Sequence, residues 1–281
     1  MANASQSAPK TIFTVSSHAQ DQDPEETQAS ASAVPDAPAG RASVMDKVGN
    51  WAPFLLIRSA HPRQAVLTAI GLSVAAVLAG LTTREVTLIA VTVLVGQAVL
   101  GWHNDLVDQA VDRRHEREGK PISDGRLEPG SVWFVLCCGV LLVIPLSVTS
   151  GTVAGLFYLG SLVLGMLANV LLRKGLFSWV LWAAAFACYP GYLSYAGLAG
   201  ESAGEPPHWV MVALAAALGV GVHFLTALWG LVADNEDKWT YLPLKAGLKL
   251  GAGKLLLVTL VYIAVVIGGM LYAASVVGLR A

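Results

Sequence analysis

The sequence predicts an all-α, polytopic transmembrane helix bundle, and three observations predict it. First, 55% of the 281 residues are hydrophobic and only 13% are charged, against about a quarter charged in an ordinary soluble domain. Second, the ionisable residues are missing in long stretches, each of a length that suits a helix crossing the hydrocarbon core. Third, of the 18 basic residues all but Arg84 and Arg280 fall on one predicted side of the membrane, the bias that orients helices with basic loops inside. The net charge of −1 offers no bulk attraction for a nucleic acid. Cys137, Cys138 and Cys188 have neither a disulfide nor a zinc spacing and read as small buried hydrophobes.

Residues 1–50 stand apart. From Ser5 to Arg41 the chain is rich in Ala, Ser, Gln, Asp and Pro without apolar periodicity, so it reads as a disordered low-complexity tail. The first residues contain no Arg and no apolar core, and the acidic run Asp21, Asp23, Glu25, Glu26 follows, which argues against a cleaved targeting segment. The membrane domain is 51–281. Seven spans are expected there, near 64–83, 86–104, 130–149, 152–172, 176–198, 209–230 and 251–277. Helices are the spanning element because they satisfy their own backbone hydrogen bonds in lipid. The charge bias places the N-terminus and the loops after the second and sixth spans on the cytoplasmic side.

Directly after the second span come Asn104, Asp105, Asp108 and Asp112. Spacings of three and four put the three carboxylates on one face of a continuing helix, where they repel and call for a compensating cation. A hard divalent ion such as Mg²⁺, held by carboxylates and by substrate phosphate oxygens, meets that need. A second acidic run, Asp234-Asn235-Glu236-Asp237, ends the sixth span on the same side. Solvated interfacial charges are the bland alternative for both runs.

The run Asn104-Asp105-x-x-Asp108-x-x-x-Asp112, followed by Lys120-Pro121-Ile122 and Gly125, resembles the first signature of the UbiA superfamily of membrane prenyltransferases. Arg58 to Pro62 resembles the family's R-x-x-x-P entry, Arg173-Lys174 with Ser178 its basic pair, and Leu242-Pro243 with Gly247 its L-P-x-x-x-G. The resemblance implies transfer of a polyprenyl group from a prenyl diphosphate to an acceptor, most often aromatic, through an allylic carbocation with Mg²⁺. It implies metal ligation by Asp105, Asp108, Asp112 and Asp234, with Asp237 as a further ligand and Asn104 orienting them. Lys120 and Lys174 match diphosphate-binding positions, and Arg117 joins them by loop proximity.

Two features depart from the family pattern. Its second motif reads D-x-x-x-D, yet Gly230 stands four residues before Asp234, and members generally have nine spans against the seven read here. A catalytically degenerate relative that binds isoprenoid or assists assembly is therefore the alternative. A transporter would place its acids near mid-membrane in repeated, broken helices, and here they lie at helix ends. The D-G-x-x-A-R pattern of phosphatidyl-alcohol transferases is absent. Trp102, Phe134, Trp182, Tyr189, Phe224 and Trp229 are candidates for facing the carbocation, and His103 and His223 for touching the acceptor.

Overall fold

The computed structural model describes residues 49–197 and 204–279; the expected tail over 1–50 and the end of the fifth predicted span lie largely outside them. Each long element starts where the sequence supplies a start. Pro53 opens α1 (Ala52–Ser59), Pro62 opens α2 (Pro62–Leu78) and Pro129 opens α4 (Pro129–Thr149), since a first-turn proline gives up an N–H that has no partner there anyway. Thr82 and Glu85 form a reciprocal capping box at α3 (Thr83–Arg114), satisfying two orphan donors. That box ends the first span earlier than the expected 64–83.

The chain continues through α5 (Thr152–Val170), α6 (Ser178–Ser194), α7 (Trp209–Ala227), a six-residue α8 (Leu231–Glu236), α9 (Leu242–Leu250) and α10 (Ala252–Val276). All described elements are helices. Five of them (α3, α4, α5, α7 and α10) are long and apolar enough to cross a membrane; α2 and α6, the other two expected spans, have 17 residues each, at the short end of what spans.

Apart from α7 and the short α8, consecutive helices pack side by side, α3 also touches α5, α2 closes on α6, and α10 lies against α7. The interior is small and close-packed. Ala69, Leu72 and Ala76 of α2 meet Ile89 and Val93 of α3, with Tyr158 of α5 and Tyr192 of α6 between them. The outer surface is apolar, with Leu67, Phe134, Leu141, Leu257 and Val265 among its exposed side chains, as lipid requires. Cys137 and Cys138 lie exposed on that surface rather than buried, because α4 turns their face outward.

A second cluster, Leu55, Ile122, Leu127 and Val132 with Trp102 and Leu106 against it, fixes α1 and the loop after α3 to the end of α3. The contact depends on Gly101, where a Cβ would stand 2.6 Å from the Ala60 carbonyl carbon and oxygen. Small residues let helices approach this closely in a membrane. Gly101→Ala is expected to push the α1–α2 junction away and to cost about 1–3 kcal/mol, read as a lowered thermal midpoint of the purified protein.

Candidate active site

Beyond the second expected span, 86–104, α3 continues unbroken to Arg114, so the first acidic run sits on the continuing helix, as its spacing predicts. Asp105, Asp108 and Asp112 are all buried along its inner face, Asp105 at 3% and Asp112 at 1% exposure. Buried carboxylates need partners, and three elements supply them. Asp105 accepts from Ser59 Oγ at 2.9 Å and from Lys120 Nζ at 2.5 Å, with His61 Nε2 at 2.7 Å. Asp108 pairs with Arg173 and accepts from Asn104 Nδ2 at 3.1 Å. Asp112 faces Arg117 at 3.4 Å and Lys120 at 3.6 Å.

The second acidic run joins this cluster through one residue. Asp234, buried on α8, takes a hydrogen bond from the Tyr241 hydroxyl and faces Arg117 at 3.9 Å. Arg117 therefore stands between Asp112 and Asp234, and sequence positions more than a hundred residues apart share one site. Burial pushes the Asp234 carboxyl above the usual carboxylate range, against the Tyr241 hydrogen bond and the Arg117 and Arg173 charges. Burial and the Asp234 carboxylate together push the Tyr241 phenol well up, so it stays protonated as a donor.

Asp237 is placed differently from Asp234. Its carboxylate pairs with Arg114 at 2.7 Å and with His115 Nε2 at 3.2 Å, while His115 Nδ1 lies 3.3 Å from Glu236. These contacts clamp α8 to the end of α3. Lys174 makes no ion pair among the described residues. Its ammonium lies 5.4 Å from the Trp239 ring centre, beside the Arg173 guanidinium at 4.8 Å, and its carbonyl accepts from Thr240 N–H at 2.8 Å. Arg173, not its neighbour, carries the contact to the acidic cluster.

Ser59, His61, Tyr241 and Trp239 were not singled out from sequence. Their only common signal is position beside the entry and L-P-x-x-x-G motifs. Backbone strain marks the same region. Among the described residues, the non-glycine positions with positive φ are His61 (52°), Glu116 (47°), Leu172 (60°) and Lys238 (59°). His61 is itself in the site, and the others adjoin Arg117, Arg173 and Asp237. Each such residue costs on the order of 1–3 kcal/mol and persists where its surroundings hold it.

Of the aromatic candidates, Phe134 and Trp229 face outward, at 71% and 90% exposure, and are removed from any cavity role by that orientation. Trp102 donates to the Leu56 carbonyl at 2.9 Å and anchors α1. Tyr189 packs on the core and edge-on to Phe186. His223 is buried, 2.9 Å from Ser178 Oγ, with Trp182, Phe224 and Tyr241 around its ring. His103 sits 3.2 Å from Asn169 Nδ2.

A family model described as the UbiA prenyltransferase family matches residues 65–280. The chain belongs to the UbiA prenyltransferase family. No curated protein and no solved structure matches it. Membership and the apolar helices support an integral-membrane prenyltransferase in general terms. Gly230, where the family's pattern places an Asp, lies against the second acidic group: a Cβ there would meet Asp234 Oδ2 at 2.6 Å. In this UbiA chain the Asp234 carboxylate fills that space itself.

The donor set suits the family's Mg²⁺ in its chemistry. Asp108 Oδ1 and Asp112 Oδ1 are buried without a hydrogen bond, their charge met by Arg173 and Arg117. Such oxygens fit a hard divalent cation. Among the described residues no three acidic or histidine side chains converge as a ready-made cage, because the carboxylates are turned to Lys120, Arg117 and Arg173, which stand among them. Four carboxylates face Lys120, Arg117 and Arg173, so the cluster is acidic on balance.

Proposed function

We propose that this protein transfers a polyprenyl group from a prenyl diphosphate to a small aromatic acceptor, with Mg²⁺ held by Asp108, Asp112 and Asp234. The observation that carries the reading is Arg117 standing between Asp112 and Asp234, which draws both acidic runs around one basic group. Bound Mg²⁺ supplies charge to the diphosphate oxygens as the allylic C–O bond breaks. The chain's own cations do the rest of the binding. Lys120, Arg117 and Arg173 exchange carboxylate partners for diphosphate oxygens, where fixed positive charge is strongest in a site shielded from water. Asn104 orients Asp108. Asp105 keeps Lys120 aimed inward through its contacts to α1 and the α1–α2 junction. Asp237 acts as the clamp on α8 rather than as a ligand. Trp182, beside His223, is the aromatic face nearest the Ser178–His223 pair and suits the acceptor ring.

The charge bias puts this end of the bundle, and the N-terminus, on the cytoplasmic side. A second reading, a relative that binds the donor without turning it over, is favoured by Gly230, which leaves the second acidic motif one carboxylate short. The experiment is incubation of the purified protein in lipid with a labelled prenyl diphosphate, Mg²⁺ and a panel of aromatic acceptors. Magnesium-dependent pyrophosphate release that requires an acceptor is the expected result. Donor binding without release from any pairing favours the second reading, and no binding rejects both.

A further inference from the structure

We propose that the outward face of α9, with the first turn of α10, is a docking surface for anionic phospholipid headgroups. Among the described residues, five basic side chains at this end of the molecule are paired to carboxylates. Arg114, Arg117, Lys120, Arg126 and Arg173 each lie within ion-pair distance of an Asp. Lys245, Lys249 and Lys254 are exposed, and among the described residues none of the three has an ion pair. Their charge serves no carboxylate among the described residues.

Their placement is specific. Helix α9 packs inward through Pro243, Leu244 and Gly247 against α7, α8 and α10. Positions 245, 248 and 249 share the opposite face by helical spacing. Leu248, between the two lysines, is 63% exposed. Toward water that leucine is a cost; at a headgroup boundary it enters the acyl edge while the lysines reach up to phosphate. The level in the membrane is set by the next residues, because α10 starts at Ala252 and is apolar enough to span. Lys254 is in its first turn, so α9 lies where the span meets the headgroups. Trp229, 90% exposed at the end of α7, is the kind of side chain that sits at that boundary. Unpaired lysines and an outward leucine on one helix face, with an exposed tryptophan after α7, complement a negatively charged lipid surface.

The test reconstitutes the full chain in phosphatidylcholine vesicles carrying spin-labelled phosphatidylglycerol or spin-labelled phosphatidylcholine, and reads the fraction of label immobilised by the protein. Phosphatidylglycerol is expected to associate preferentially, the more so at low salt. Lys245→Gln, Lys249→Gln and Lys254→Gln combined should reduce that preference by roughly fivefold or more, with an unchanged thermal midpoint. The matching Arg variant should keep it. Leu248→Gln should weaken association of both lipids and leave their ratio unchanged. A preference equal in wild type and the Gln variant overturns the proposal. So does release of the labelled lipid by free pyrophosphate, which would assign the lysines to a soluble phosphate. No preference in the wild-type chain also overturns it and leaves an acidic protein as the occupant. None of these readings depends on prenyl transfer.

Discussion

Asp108→Asn is expected to lower magnesium-dependent pyrophosphate release by about a hundredfold or more, the scale on which one charge-stabilising group matters in a closed site, while the protein stays folded. Asp108 Oδ1 is buried without a hydrogen bond and has the Arg173 guanidinium as its counter-charge, a setting that suits a metal-binding oxygen. Its cation, Arg173, retains the Trp239 ring and the Asn169 carbonyl, the latter at 2.9 Å, when the carboxylate is gone. Asp105 should behave differently. Its partners are Ser59, His61 and Lys120, which tie α1, the α1–α2 junction and the following loop to α3. Asp105→Ala takes the nearer of two carboxylates from a partly buried ammonium and leaves Ser59 and His61 without their acceptor, and breaking a buried pair costs about 3–5 kcal/mol. Release assays paired with thermal midpoints separate the two. Asp108→Asn should lose activity at a near-normal midpoint, whereas Asp105→Ala should lose both. Full turnover by Asp108→Asn would be incompatible with a metal-assisted mechanism at this cluster.

The contrast between these neighbours shows what the sequence can and cannot carry. Spacings of three and four told that Asp105, Asp108 and Asp112 share a helix face, and charge-free stretches told where the helices are. Both are local properties. Which cation meets which carboxylate is decided by loops folding back over the end of α3, and no spacing records that. Arg173 and Lys174 are adjacent in sequence, yet Leu172 in a left-handed conformation aims the first at Asp108 and leaves the second on Trp239. Ser59 and His61 come from the other side of a close approach at Gly101 and carry no signature of their own. Phe134 and Trp229 failed as cavity candidates for a related reason. In a membrane helix the lipid face and the cavity face are both apolar, so composition cannot distinguish them. The capping box at Thr82 was readable in principle, since Thr82 and Glu85 have its spacing, and would have corrected the boundary between the first two spans.

Asp234→Asn is expected to remove activity on the same scale as Asp108→Asn while holding or raising thermal stability at neutral pH. Burial holds the Asp234 carboxyl above its usual range, and the Tyr241 hydrogen bond with Arg117 and Arg173 only partly offsets it. The sign follows from proton linkage. Below the ordinary carboxylate range both the folded and the unfolded chain keep the proton, and the group contributes nothing. As pH rises, the unfolded chain loses its proton first, so stability falls until the raised folded-state value is passed, and the full cost stands at neutral pH. An amide carries no such cost and still accepts from Tyr241. Glu236 is exposed and among the described residues pairs with His115, and exposed pairs contribute about 0–1 kcal/mol, so Glu236→Gln should leave release and midpoint nearly unchanged. Tyr241→Phe removes a hydrogen bond that lowers the Asp234 value, so whatever acid limb Asp234 gives to the activity profile should move to higher pH in that variant. Midpoints measured from acid to neutral pH and release assays across the same range check all three variants. An Asp234→Asn protein as active as wild type would remove the second acidic run from the site. A drop in its stability at neutral pH would show that the charge pairs outweigh burial. Gly230 gives the outcome its significance: with no carboxylate at that position, the second half of the site rests on Asp234, and no neighbour on α8 can take its place.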